Sequence, residues 1–182
     1  MTKITSLKAA EKGITFVTDI DPSLPKGLVG DELHIKQMIM NILDNAVKYT
    51  KEGHVIFSLS YERSEQGIVV KCSVQDTGIG IKQSVTENLF EAFGHVDARQ
   101  SNDIKGIGLG LTISKNLAVA MGGDITIQSE YHKGSTFNLI IPQKVYDDEP
   151  LAKINDPGKK RVLLLGNSMS SDYVEKKLND LF

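Results

Sequence analysis

The chain has 182 residues, of which 40% are hydrophobic and 24% charged, and its net charge at pH 7 is −2. This composition is typical of a globular domain, and the lack of a basic stripe with interleaved aromatic residues argues against a nucleic-acid partner. Cys72 is the only cysteine, which excludes an internal disulfide and a cysteine-based zinc site. The sequence contains no signal-peptide pattern and no apolar run near the roughly 20 residues of a membrane helix. We therefore expect a cytoplasmic chain, although a longer parent protein could be anchored in a membrane.

The first third of the chain predicts a strand followed by a helix. Residues 2–12 have little pattern, whereas residues 14–20 alternate apolar and polar side chains as a strand does. Two prolines within residues 22–25 then predict a loop. Asp31 is a good N-cap, and the apolar residues of 33–48 fall on one helical face, which predicts an amphipathic helix.

The middle of the chain predicts a β-hairpin and a second, shorter helix. Residues 55–61 and 68–74 have the period of strands, and the polar segment 62–67 between them is typical of a hairpin connection. Residues 82–89 predict a short helix. The polar, unpatterned residues 94–105 are a candidate mobile loop.

The next elements are a helix and two strands. Residues 109–121 predict a helix that ends at the glycine pair 122–123. The alternation at 125–127 and 137–141 predicts two strands joined by a tight turn, and Pro142 is expected to end the second strand.

The C-terminal part of the chain differs in composition from the rest. Residues 146–160 are polar and rich in turn-forming residues, which predicts a linker after a domain of residues 1–145. Residues 161–182 contain one apolar strand-like run and one amphipathic helical segment. One strand and one helix cannot bury a core of their own.

Three polar residues share one face of the helix predicted over 33–48. Asn41, Asn45 and Lys48 have the spacing i, i+4 and i+7. An amide oxygen suits Mg²⁺, which prefers hard oxygen ligands, and a lysine one turn on could meet phosphate oxygens. Because Gln37 and Asp44 lie on this face as well, the pattern alone favours a solvated polar face over an ion site.

Asp76 has the parity of the apolar residues in the strand before it, so it is expected to point toward the core. A buried carboxylate needs a hydrogen-bond partner, and the amino group of adenine is a suitable donor. Gly78 and Gly80 would let the backbone turn sharply and approach the base. An ordinary turn over Asp76–Gly78 explains the same residues equally well.

A glycine-rich run, Gly106–Gly110, precedes the helix predicted over 109–121. Its backbone N–H groups and the helix N-terminus would attract phosphate, with Lys105 in support, and its spacing fits neither a Rossmann fingerprint nor a P-loop. A flexible hinge explains these glycines equally well. Phe90 and Phe93 are most simply core residues, and alternatively they anchor a loop that closes over nucleotide.

Taken in order, these motifs resemble those of the sensor histidine kinases over about residues 8–142. The resemblance rests on the N box (41–49), the G1 box (76–80), the F box (90–93), the G2 box (106–110) and the glycine-threonine motif (134–137). It implies an α/β (α+β) two-layer sandwich, the Bergerat fold, in which a mixed and mostly antiparallel sheet carries helices on one face.

The resemblance also implies ATP and Mg²⁺ as cofactors. Asn45 would bind the metal, Asp76 would accept a hydrogen bond from the adenine amino group, Tyr49 would pack near the adenine, and Thr136 would lie near Asp76. The implied nucleotide-binding residues are Asn41, Asn45, Lys48, Tyr49, Asp76, Gly78, Gly80, Lys105, Gly106, Gly108, Gly110, Leu111 and Thr136.

One position separates the possible activities. ATP-hydrolysing members of this superfamily have a glutamate base where this chain has Asn41, and a neutral amide cannot take a proton from water. The resemblance therefore implies a histidine kinase domain that presents the γ-phosphate to a histidine on a dimerisation domain, for which residues 1–12 leave no room. An anti-sigma-type serine kinase and a non-catalytic nucleotide-binding module are the alternatives.

Residues 161–182 carry a second resemblance, to the first strand and helix of a response-regulator receiver domain. Receivers have acidic residues directly after that strand, whereas this chain has Gly166 and Asn167. The hypothesis that follows is a hybrid kinase with a degenerate receiver, and a receiver domain is the second expected partner.

Overall fold

The computed structural model describes residues 1–90 and 109–153. The elements, in chain order, are α1 (Thr2–Glu11), β1 (Thr15–Ile20), β2 (Pro25–Val29), α2 (Glu32–Tyr49), β3 (His54–Ser64), β4 (Gly67–Asp76), α3 (Gln83–Thr86), α4 (Leu109–Ala120), β5 (Asp124–Glu130) and β6 (Gly134–Pro150). The predicted loop at 94–105 and the receiver-like segment 161–182 lie outside the described residues. No helix in the described ranges is long and apolar enough to cross a membrane.

The strands form one six-stranded, mixed sheet. Its order is β1-β3-β4-β6-β2, and β5 pairs with β6. Only β1 and β3 are paired in parallel among these strands, and every other pair is antiparallel. The predicted mixed, mostly antiparallel sheet is confirmed.

The core lies between one face of this sheet and the helices. Alternate residues of β4, such as Ile68, Cys72 and Val74, are buried, whereas Lys71 and Gln75 of opposite parity are more exposed. The helices contribute the other half of the core cluster, which includes Met38, Ile42, Leu43, Leu111 and Ala118. Helices on one face of the sheet thus give the expected two-layer sandwich.

Helix α2 follows the sequence pattern closely. The side chain of Asp31 accepts a hydrogen bond from the backbone N–H of His34 at 3.1 Å, which confirms the predicted N-cap. The buried residues of the helix are Met38, Ile39, Ile42, Leu43, Ala46 and Val47, and they form one face. The polar residues of the N box therefore lie at the border of a firmly packed helix.

Pro142 does not end the last strand, contrary to the sequence-based expectation. The pairing of β6 with β5 stops at Ile140 and its pairing with β2 starts at Lys144. Pro142 lies in the gap between these ladders and is paired there with Val69 of β4, so its missing N–H costs little. The strand therefore continues to Pro150.

Strand β2 is the partner of this continuation. It begins at Pro25, where the prolines had predicted a loop, and proline is tolerated at the first residue of a strand. Leu28 is paired with Val145 and Gly27 with Asp147. Residues 146–150, which composition had assigned to a linker, are therefore part of the sheet.

Three further elements differ from the sequence pattern in extent. Helix α1 covers Thr2–Glu11, where the pattern was weak because Ile4 and Leu7 are exposed and no apolar face marks the helix. Helix α3 is limited to Gln83–Thr86, within the predicted 82–89. The β3–β4 ladder runs on to the Ser64–Gly67 pair, through most of the predicted connection.

Candidate nucleotide-binding site

Helices α2 and α4 meet at Asn41. The side-chain amide of Asn41 donates a hydrogen bond to Oγ of Ser114 at 3.0 Å, and Ser114 is buried. A Cβ atom at Gly110 would lie 2.5 Å from Oδ1 of Asn41, so a side chain in this first turn of α4 would displace the Asn41 amide. The fold therefore brings the N box and the end of the G2 box into contact.

Asn45 and Lys48 continue this polar face. Asn45 is half-buried, Lys48 is exposed, and Nζ of Lys48 lies 4.9 Å from the centroid of the Tyr49 ring. In residues 1–90 and 109–153 there is no group of three or more His, Cys, Asp or Glu side chains that could hold a metal ion. The side chain of Asn45 offers one amide oxygen, a ligand of the kind that suits a Mg²⁺ ion that takes most of its ligands from phosphate and water.

Asp76 ends strand β4 with its side chain on the core side. The residue is only 6% exposed, and Oδ1 accepts a hydrogen bond from the backbone N–H of Gly78 at 2.8 Å. Burial raises the pKa of this carboxyl above its ordinary value, and hydrogen bonds from the backbone N–H groups of Gly78 and Ser135 partly offset that increase. A buried carboxylate held by backbone donors can accept a further hydrogen bond from a ligand.

The loop after Asp76 is fastened to the end of α2. The backbone N–H of Ile79 donates to the carbonyl of Tyr49 at 3.2 Å, and a Cβ atom at Gly78 would lie 2.5 Å from the same oxygen. Gly80 has φ +63° and lies against the backbone of Glu130, where a side chain would not fit. Both glycines are therefore required by close backbone contacts.

The register between β4 and β6 contradicts the predicted place of Thr136. Asp76 is paired with Ser135, whereas Thr136 is paired with Gln75. Successive residues of a strand face opposite sides of the sheet, so Thr136 lies on the outer face and Ser135 on the core face with Asp76. Ser135 is 7% exposed, and its Oγ lies 3.0 Å from Oγ of Ser129.

Ser135 and Ser114 are thus two residues that the sequence reasoning missed. The parity of Ser135 with Phe137 and Leu139 was a usable signal, because those residues define the core face of β6. Ser114 follows Leu111 by three positions on the buried side of α4. A serine on an apolar helix face indicates a partner across the core.

The remaining predicted residues fall into two groups. Leu111 is 1% exposed and belongs to the core cluster, so its side chain is a packing residue. Phe90 packs against the same cluster, and Nζ of Lys115 lies 5.1 Å from the centroid of its ring. The others, Phe93, Lys105, Gly106 and Gly108, lie outside the described residues.

Comparison with known proteins places this arrangement in a family. The family model described as "Histidine kinase-, DNA gyrase B-, and HSP90-like ATPase" matches residues 30–145. The autoinducer 2 sensor kinase/phosphatase LuxQ of Vibrio vulnificus is 42% identical over 175 residues, covering 94% of this chain and 20% of that protein. Hybrid signal transduction histidine kinase B of Dictyostelium discoideum is 36% identical over 177 residues, covering 87% of this chain and 9% of that protein.

Solved structures agree with these relatives. Full-length ShkA in complex with AMPPNP superposes with a TM-score of 0.67 at 33% identity, over 80% of this chain and 29% of that chain. The mycobacterial sensor histidine kinase MprB, at 22% identity and a TM-score of 0.57, shows the fold alone and covers 80% of this chain and 95% of that chain. The chain spans a fifth or less of the two curated relatives. It belongs to the histidine kinase-, DNA gyrase B- and HSP90-like ATPase family, as an ATP-binding domain of the kind that sensor histidine kinases carry.

Proposed function

We propose that this domain binds Mg-ATP between helix α2 and the loop after Asp76, and that it presents the γ-phosphate to a histidine on another domain of its parent protein. The observation that carries the proposal is the buried carboxylate of Asp76, which accepts a hydrogen bond from the backbone of the following loop, and this loop is itself bonded to the end of α2. The complex of the related ShkA with AMPPNP supports a nucleotide as the ligand.

Asp76 is the proposed base-recognition residue. A carboxylate accepts hydrogen bonds but donates none when it is ionised. Adenine carries an amino donor where guanine carries an oxygen acceptor, so guanine would place an acceptor against an acceptor. The site should therefore prefer ATP over GTP.

The phosphates and the magnesium ion are assigned to the part of the site formed by the polar face of α2. Asn45 would supply one amide oxygen to Mg²⁺, and Lys48 would meet phosphate oxygens one turn later on the same face. The glycines of the G2 box and Lys105 would add backbone N–H groups and positive charge near the start of α4. When bound, the ion would reduce the charge of the phosphates.

Asn41 favours transfer to a separate acceptor over hydrolysis. Its side-chain amide already donates to Ser114, and a neutral amide cannot take a proton from water. In the proposed reaction the bond between the γ-phosphorus and the bridging oxygen breaks, a bond to a histidine ring nitrogen forms, and ADP leaves. The residues of this domain position the nucleotide for that step.

The partners follow from this reaction. The acceptor histidine is assigned to a dimerisation domain of the parent protein, and the next acceptor to a receiver domain. The name of the Dictyostelium relative contains the word hybrid, which supports the proposal that residues 161–182 begin a receiver-like domain. We propose a cytoplasmic location for the domain.

Two measurements test the proposal. Calorimetric titration with ATP, with and without Mg²⁺, should show magnesium-dependent binding that Asp76→Asn weakens by about tenfold or more, because one charged hydrogen bond is lost. Labelled ATP should then transfer phosphate to the parent's histidine-bearing domain, and the label should be stable in alkali and labile in acid. A wild-type protein that binds no nucleotide would favour the non-catalytic module, and an acid-stable label would favour a serine kinase.

A further inference from the structure

The burial pattern of the core is interrupted beneath the first half of helix α2. On the core face of β4, Ile68, Cys72 and Val74 are buried, whereas Val70 between them is only half-buried. Leu59 lies on the core face of β3 and is likewise only half-buried. These two side chains therefore face a space that the core does not fill.

That space is a cavity of about 250 Å³. Ile35 and Ile39 of α2 lie on one side of it, Leu28 of β2 on another, and Leu139 of β6 lines the sheet side together with Val70. Protein interiors contain few voids larger than a water molecule, and an apolar cavity of about 150 Å³ is already large enough to bind benzene. The cavity is therefore large enough to hold a small molecule.

The lining of the cavity offers little to water or to a charged ligand. Burial raises the pKa of the Cys72 thiol to about 12, so this group is uncharged at neutral pH. The side-chain amide of Gln143 already donates to the carbonyl of Pro142 at 2.6 Å, and the exposed lining residues Lys36 and Glu32 form an ion pair with each other. Because a buried water needs two to four polar partners and a buried charge needs a counter-charge, the lining favours an uncharged, hydrophobic ligand.

We propose that this cavity is a second ligand site, which takes a small uncharged hydrophobic molecule of about one aromatic ring with a short alkyl chain. Its walls come from α2, β2, β3, β4 and β6, a concave shape that suits a compact molecule better than a helix or strand of another chain. The site is separate from the proposed nucleotide site, because Val70 precedes Asp76 by six residues of β4, or about 20 Å. The inference therefore does not depend on ATP binding.

Toluene is the probe, added to the full chain without nucleotide. It should raise the melting temperature by about 2 °C or more at a concentration several times its Kd, because it binds the folded state only. In methyl NMR spectra it should shift the signals of Ile35, Leu59 and Val70, and leave that of Leu111, beside the N box, unchanged. Benzoate has a similar size but carries a charge, and it should produce neither effect at the same concentration.

Two cavity-filling variants and a matched control assign the effect to this site. Val70→Phe places a ring in the cavity and should abolish both the rise in melting temperature and the methyl shifts. Leu28→Phe fills the cavity from β2 and should do the same, which keeps the test decisive if Val70→Phe folds poorly. Val69→Phe is on the outer face of the same strand and should bind toluene as the wild type does.

Three results would overturn the inference. The first is a wild type whose melting temperature and methyl signals do not respond to toluene. The second is a response that persists in both filled variants, which would mean that toluene binds elsewhere. The third is a concentration-dependent dimer in sedimentation that Val70→Phe disperses, which would mean that a side chain of a second copy occupies the cavity. Because every measurement is made without ATP, the proposed nucleotide site stands or falls separately.

Discussion

Asp76 and Ser135 lie opposite each other in the β4–β6 ladder, and the backbone N–H of Ser135 lowers the pKa of the Asp76 carboxyl, against the increase that burial causes. Strand β6 therefore also supports Asp76, the residue that we assign to adenine. The register of β6, and not only the glycine-threonine motif within it, therefore determines which hydroxyl lies on the same face as Asp76.

The first prediction concerns that hydroxyl. Ser135→Ala should lower ATP affinity by about three- to tenfold, because it removes a buried hydroxyl on the core face beside Asp76. Thr136→Val is the matched control and should leave affinity nearly unchanged, since Thr136 lies on the outer face with Gln75. Calorimetric titration of both variants measures the difference. A larger effect at Thr136 than at Ser135 would contradict this register.

The second prediction concerns the pH dependence of stability. The folded-state pKa of Asp76 lies above its ordinary value of 3.8, because burial disfavours the charged form. Between those two pKa values the folded state binds more protons than the unfolded state, so the contribution of Asp76 to stability falls as pH rises through that window. Above the folded-state pKa, the full free-energy cost of burying the charged carboxylate reduces the stability of the folded protein.

Urea unfolding of the wild type and Asp76→Asn across pH 4 to 8 tests whether the contribution of Asp76 to stability falls as pH rises. The stability of the wild type relative to the variant should decline as pH rises, while its ATP affinity relative to the variant should increase as the carboxylate ionises. A relative stability that rises with pH would mean that Asp76 is stabilised in its charged form and is not penalised by burial.

The third prediction concerns the metal. Asn45→Ala should remove most of the magnesium-dependent part of ATP binding, because the amide oxygen is the protein ligand assigned to the ion. Its affinity without magnesium should remain close to that of the wild type. Asn116→Ala, at an exposed position of α4, serves as the control. Equal magnesium dependence in Asn45→Ala and the wild type would rule out this assignment.

The fourth prediction concerns the end of helix α2. Nζ of Lys12 donates to the carbonyls of Val47 at 2.6 Å, Lys48 at 3.0 Å and Thr50 at 2.9 Å. The last carbonyls of a helix lack partners within it, and a cation there also interacts favourably with the helix dipole. Lys12→Met should therefore lower the free energy of unfolding by about 1 kcal/mol.

Lys8→Met is the control for Lys12. Nζ of Lys8 forms an ion pair with Asp44 at 2.7 Å, and both side chains are about half exposed. Such a surface pair contributes little, so this variant should stay within about 0.5 kcal/mol of the wild type. Denaturant unfolding of both variants makes the comparison, and equal effects would show that Lys12 acts as an ordinary surface charge.

The sequence pattern predicted an element correctly where residues close together in the chain determine its structure. The apolar face of α2 with its N-cap Asp31, the alternation in β3 and β4, and the burial of Asp76 all follow from periodicity within a few residues. The ordered motifs likewise indicated the family that the comparisons confirm.

Tertiary structure decided the features that depend on which strands and helices meet. The sequence could not show that β6 passes Pro142, because the proline is tolerated only where the β5 ladder has ended and the β2 ladder has not begun. The bonds of Asn41 to Ser114 and of Lys12 to the end of α2 join residues 73 and 35 to 38 positions apart. Periodicity within one element carries no information about partners at such distances. Residue types and their alternation along the chain determined the layers of this domain, and the pairing register between strands determined which hydroxyl lies beside Asp76.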